Sequence, residues 1–196
     1  MKKDRRYLKT EKQIIDVFIQ LLNEKGFNRL TVRDIADRAD INRATFYQHY
    51  VDKYTLLKHC EDHWLHKAES MMQTIINVDM LTLYDHGTAL PGLEEVLVHY
   101  KEHRMLILGL LEIGGTPSFR DRLTEAAQTH LNTILKSQFN GKVAYPMPYI
   151  SAYLISAHFG IVLEWLKRGA NEPTEEIATL ITRLTLHGAL HGLNLV

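Results

Sequence analysis

The 196-residue chain has one cysteine, Cys60, which excludes an internal disulfide framework and suits a reducing compartment. It has five prolines, too few to interrupt long helices often. Neither sign of charge is in excess, with 23 Lys or Arg against 23 Asp or Glu, so no general attraction to polyanions follows from the total. No run of about twenty uninterrupted apolar residues occurs. The most apolar stretch, Tyr149 to Leu166, is broken by Ser151, Ser156, His158 and Glu164 and reads as a buried helix. The charged N-terminus leads into a polar amphipathic segment instead of an apolar leader, so a cytoplasmic protein without a membrane anchor is expected. Glycine-rich phosphate loops and G-x-S-x-G elbows are missing, and Cys60 lies in an apolar helical stripe where a thiol is ordinarily inert packing. These absences leave little support for an enzyme.

The charge that is present is unevenly placed. Residues 1–58 hold 13 Lys or Arg and 8 Asp or Glu, and residues 59–196 hold 10 and 15, so the halves carry +5 and −5. The basic end, Lys2, Lys3, Arg5 and Arg6, is either a flexible arm for DNA or a solvated terminus.

The hydrophobic pattern is helical throughout, and strand alternation of useful length is lacking. About nine helices are predicted, an all-α fold. The first spans Lys12 to Leu22 with Gly26 as its cap. A long helix runs from Lys53 to about Asn77, followed by helices at Leu93–Glu102, Met105–Leu111, Pro117–Phe139, Tyr149–Lys167 and Thr174 to about Leu193, with Gly169 placed to cap the first of the last two and Thr174 to start the second. Residues 78–91, 114–117 and 141–148 read as irregular links.

Leu30 to Lys53 is the most informative segment. Thr31 stands as an N-cap with Asp34 three residues on. Val32, Ile35, Ala36 and Ala39 form a short apolar stripe, and Asn42 is an N-cap for a second short helix, Arg43 to Tyr50. That helix can bury Ala44, Phe46 and part of Tyr50 while Arg43, Thr45, Tyr47, Gln48 and His49 face outward or graze the backbone. Two short helices around a tight turn are the plan of a helix-turn-helix, whose second helix enters the major groove. On residue types alone, an ordinary amphipathic helix pair satisfies the same pattern.

The full set of positions resembles the DNA-binding domain of the TetR family of bacterial transcription regulators. It comprises Ile14 to Phe18, Glu24 to Phe27, Leu30 to Ala36, Ala39 to Tyr50 and Asp52 to Leu57. Asp40 stands where that family usually has glycine in the turn, and Asp tolerates a left-handed backbone better than most residues. The resemblance implies base-edge contacts from Arg43, Ala44, Thr45 and Gln48, and from Arg33 to base or phosphate. It implies phosphate contacts from Thr31, Asn42, Tyr47, His49 and Lys53. It also implies a DNA-binding domain at 1–52 and a helical regulatory and dimerisation domain at 53–196. The implied partner is double-stranded DNA with a palindromic operator, bound by a homodimer joined through helices at about 149–167 and 174–193. Repression is the expected outcome.

A narrower likeness involves Phe119, Tyr149, Ser156 to Gly160, Glu164 to Gly169 and Pro173 to Ile177. It resembles a TetR subgroup that includes activators of dihydroxyacetone kinase operons. That leaves a second reading, a regulator whose effector is a docked kinase-like protein. An effector pocket would draw on Trp64, Met71, Tyr100, His103, His158 and Trp165, all of which also suit plain core or interface packing. Histidine pairs at i, i+4 (His59/His63, His99/His103, His187/His191) suit zinc by spacing, but pairs arise by chance among 11 histidines. No native metal or cofactor is expected, and a metal-dependent helical enzyme is the most distant alternative.

Overall fold

The structure is a computed structural model that describes residues 5–75, 83, 89–111, 119–139 and 146–192. Nine α-helices and no strands occur among them: α1 (Arg5–Arg29), α2 (Val32–Arg38), α3 (Arg43–His49), α4 (Lys53–Met72), α5 (Leu93–Glu102), α6 (Arg104–Leu111), α7 (Phe119–Phe139), α8 (Met147–Lys167) and α9 (Thr174–Gly192). A single 3-10 turn, Gln73–Ile75, follows α4, so the long helix ends earlier than its apolar period predicts. The link foreseen at 114–117 lies outside the described residues, as do most of 78–91 and of 141–148.

The chain forms two compact units. The first is Met1–Leu65 with Met105–Phe119, and the second is His66–Arg104 with Arg120–Val196. In the first, α1 buries Ile14, Val17, Phe18, Leu21 and Leu22. It starts seven residues before the predicted Lys12: Arg5 and Arg6 are its first turn, and Lys2 and Lys3 lie outside the described residues. Gly26 breaks the helix with φ 73°, the left-handed geometry that a cap glycine supplies. Helix α1 approaches α6 closely at Gly109: a Cβ there would lie 2.8 Å from Leu22 Cδ2, so the Leu22 side chain would have to shift.

The second unit packs α9 against α5 and α8. The Thr182 hydroxyl accepts from Leu90 N–H (2.8 Å) and donates to Ala178 O (2.8 Å), which satisfies a buried polar group twice. The α8–α9 turn closes as a Schellman motif, with Ala170 N–H on Trp165 O (2.9 Å) and Gly169 N–H on Leu166 O (3.1 Å). Gly169, at φ 102°, is the predicted cap. The Arg104 guanidinium covers the remaining end of α8 by donating to Leu166 O and Lys167 O. Helix α8 starts before its predicted Tyr149, since Pro148 fits a first turn that needs no N–H there.

Among the described residues of one chain, only 22% of the most apolar window of α8 is buried, so a core within the chain supplies little of the burial its composition calls for. By length and composition it is apolar enough to cross a membrane. Its open face carries Tyr149, Tyr153, Ser156 and Gly160, spaced to form one stripe.

Candidate nucleic-acid interface

Helices α2 and α3 have seven residues each, too short to persist alone in water, so their ends and packing must hold them. Thr31 and Asp34 form a full capping box. Thr31 Oγ1 accepts from Asp34 N–H (3.2 Å), and Asp34 Oδ2 accepts from Thr31 N–H (2.8 Å) and from its hydroxyl (2.6 Å). Lys25 of α1 joins the same carboxylate at 2.8 Å. The Lys25 hydrogen bond, followed by that of Thr31, lowers the Asp34 pKa to about 2.

The turn is a second Schellman motif. Ile41 N–H bonds Ala36 O (3.0 Å), and Asp40 N–H reaches Asp37 O (3.4 Å). Asp40 occupies the left-handed position at φ 49°, so the turn is intact without the glycine. Gln13 of α1 fastens it by donating to Ala39 O at 2.7 Å. Asn42 then opens α3, its Oδ1 accepting from Ala44 N–H at 2.9 Å.

Phe46 is fully buried and Tyr50 nearly so, and this fixes which way α3 faces. Burial pushes the Tyr50 hydroxyl pKa upward. Arg43, Ala44, Tyr47 and Gln48 are exposed, and Thr45 and His49 are half-buried. The expected burial of Ala44 is therefore corrected: in so short a helix Phe46 and Tyr50 fill the inner face, and Ala44 turns to solvent. Asn42 and Thr31 are exposed at the two helix starts, where unpaired N–H groups and a positive dipole end suit a phosphate. Arg33 projects from α2 with a loose pairing to Asp37 at 3.4 Å.

Two candidates have partners that residue type did not foretell. The His49 ring stacks on Tyr7 of α1, with centroids 3.9 Å apart. The Lys53 ammonium donates to Phe27 O (3.0 Å), Leu30 O (2.8 Å) and Asn28 O (3.4 Å) and lies over the Phe27 ring. Lys53 thus caps the end of α1, a long-range contact that no local spacing announces. Asp52, not singled out from sequence, caps α4 by accepting from Thr55 N–H (2.7 Å) and Thr55 Oγ1 (2.8 Å). The Asp-x-x-Thr spacing was its available signal.

The six proposed effector residues are not one cluster within a unit. Trp64 is core of the first unit, while Met71, Tyr100, His103, His158 and Trp165 belong to the second. Trp165 donates through Nε1–H to Glu172 O at 3.3 Å and braces the α8–α9 turn. His158 Nε2 lies 2.7 Å from Thr185 Oγ1. The Thr185 hydroxyl gives its proton to Ile181 O (2.7 Å), so His158 must be the donor. Burial lowers the His158 pKa to about 4, which keeps the ring neutral near pH 7.

An outward polar helix, set by a capped turn against a buried aromatic pair, defines a helix-turn-helix DNA-binding protein. Residues 14–60 match the family of bacterial regulatory proteins of the tetR type, and residues 87–187, more than half of the chain, match a transcriptional regulator C-terminal region. The chain belongs to the TetR family of transcriptional regulators. Among relatives, the uncharacterized HTH-type regulator YxbF of Bacillus subtilis is 29% identical over 106 residues, 54% of this chain and 24% of that protein. The chain spans about a quarter of the length of the curated relatives it matches. The fold is similar to that of the fatty acid degradation regulator FadR of Bacillus halodurans (TM-score 0.68, 17% identity, 96% of this chain and 98% of that one). It is also similar to the dihydroxyacetone kinase operon activator DhaS (TM-score 0.57, 19% identity, 92% and 96%). At these identities the likeness is one of fold alone.

Proposed function

We propose that the chain works as a homodimeric repressor in the bacterial cytoplasm, reading a palindromic operator with two copies of α3. The observation that carries this is the outward row Arg43, Ala44, Tyr47 and Gln48 opposite the buried Phe46. Arg43 suits guanine, Gln48 suits adenine, and Ala44 and Thr45 suit a thymine methyl. Arg33 joins them at a base or phosphate. Thr31, Asn42, Tyr47 and His49 fix register on phosphates, and Lys53 serves indirectly by holding the end of α1. Functionally the DNA-binding domain is residues 1–52 and the regulatory domain is residues 53–196. A single seven-residue helix reads few bases, and a two-fold pair separated by about 34–36 Å doubles the information. The open stripe of α8, together with α9, supplies the dimer face. An effector received by the second unit acts through α4, whose residues Lys53–Leu65 belong to one unit and His66–Met72 to the other.

The test is binding of the full chain to a panel of operator variants by fluorescence anisotropy. Gln48→Ala and Arg43→Ala should cost about 1–3 kcal/mol at one base pair each and relax preference there. Tyr47→Phe should weaken all sequences alike. Uniform loss from all three would remove α3 as the reading helix.

A further inference from the structure

We propose that His99, Glu102 and His103, at the C-terminal end of α5, form a binding site for a divalent transition ion of the zinc, nickel or copper type. The potential ligand atoms of the three side chains already lie within 4.8 Å of one another. Sequence spacing puts them there: i, i+3 and i+4 share one helical face. A tetrahedral ion with bonds of about 2.0–2.1 Å needs its ligands roughly 3.4 Å apart. Glu102 and His103 are exposed and can close that gap by rotating about their own side-chain bonds.

Two further features favour a cation of this class. His103 Nδ1 lies 3.0 Å from His99 O. Nδ1 donating its proton to that carbonyl fixes the tautomer and the orientation of the ring, the outer-shell arrangement that orients ligating histidines. The site also stands on the last turn of α5, where carbonyls without helical partners carry partial negative charge. The neighbouring Arg104 guanidinium is engaged with the carbonyls of α8. Two imidazoles and one carboxylate select borderline ions over magnesium or calcium. Three protein ligands leave a coordination position open for water or another donor. Among the described residues this is the one group of three such ligands, which separates His99/His103 from the equally spaced His59/His63.

The experiment uses the tag-free full chain, stripped with chelator and titrated with Ni2+ in a calorimeter. One equivalent per chain should bind. His99→Ala with His103→Ala should abolish that equivalent, Glu102→Gln should weaken it by about tenfold or more, and His59→Ala with His63→Ala should leave it intact. A double variant at 99 and 103 that binds as the wild type does would overturn the site. A second measurement needs no variant: Zn2+ should protect His99 and His103 from carbethoxylation by diethyl pyrocarbonate, read by mass spectrometry. Equal labelling of both with and without the ion would also overturn it.

Discussion

Replacing Gly160 by leucine separates the two explanations of the uncovered α8 stripe. A Cβ built at Gly160 meets nothing within 4 Å in the single chain. The residue is exposed and lies inside a 21-residue helix. Nothing among the described residues asks for glycine, and glycine costs a helix interior about 0.8–1 kcal/mol relative to alanine, with leucine close to alanine. Gly160→Leu should therefore leave the lone chain as stable as before, or more stable by roughly 0.5–1 kcal/mol. The dimer should respond in the opposite direction. If two α8 helices meet at this stripe, one added side chain per copy overpacks the contact at about 1–3 kcal/mol each. The resulting 2–6 kcal/mol weakens the dimer roughly 30-fold to 10⁴-fold. Sedimentation equilibrium gives the dimer constant, and circular dichroism at dilutions where both proteins are monomeric gives the chain's stability. The same variant should lose cooperative binding to a palindrome yet keep its weak affinity for one half-site. A dimer constant unchanged from wild type would refute the placement of this face in an interface.

Three other perturbations test the local chemistry. Lys53→Met should lower stability by about 1–3 kcal/mol in urea titrations, since three carbonyls lose one cation; a DNA-only defect would show that the clamp is idle. Asp34 has a depressed folded pKa near 2, so its contribution is fully present above the ordinary carboxylate range and is lost as pH falls from about 4 towards 2. Asp34→Asn should flatten the thermal midpoint in that window, and a slope persisting undiminished would point to other carboxylates. For His158 the folded pKa of about 4 lies below the unfolded value near 6.5, so stability is complete above 6.5 and falls between 6.5 and 4. His158→Gln, which keeps a donor for Thr185, should remove that slope; an identical profile would contradict the buried neutral ring.

Local signals were legible in the sequence wherever the physics is local. Thr31 with Asp34, Asn42 and Gly169 are caps that act within four residues, and all three occur as the spacing predicts. Apolar period located each helix but misjudged ends, as at α1, where Arg5 to Glu11 continue the helix on mostly polar residues with Leu8 exposed. Contacts between distant segments left no such trace. The Lys53 clamp joins residues 23 to 26 positions apart, and His49 meets Tyr7 from 42 positions away. Which side covers α8 was not legible, because apolar composition looks the same whether the partner is within the chain or outside it.

These distant contacts bear on recognition. A reading helix of seven residues cannot hold its own orientation to within the fraction of an ångström that base-edge hydrogen bonds demand. Here that orientation is imposed from α1 and α4. Gln13 holds the turn, Lys25 completes the α2 cap, Tyr7 stacks on the last residue of α3, and Lys53 ties α4 to the end of α1. Several of the headpiece's cations are thus engaged within the protein: Lys25 with Asp34, Arg38 with Glu24 and Lys53 with carbonyls. The two ion pairs already cancel within the +5 of residues 1–58, so of these three cations only Lys53 takes a charge counted in that total away from phosphates. Specificity then depends on how rigidly α3 is presented, so substitutions at Gln13 or Tyr7, remote from the outward row, should alter operator preference as well as stability.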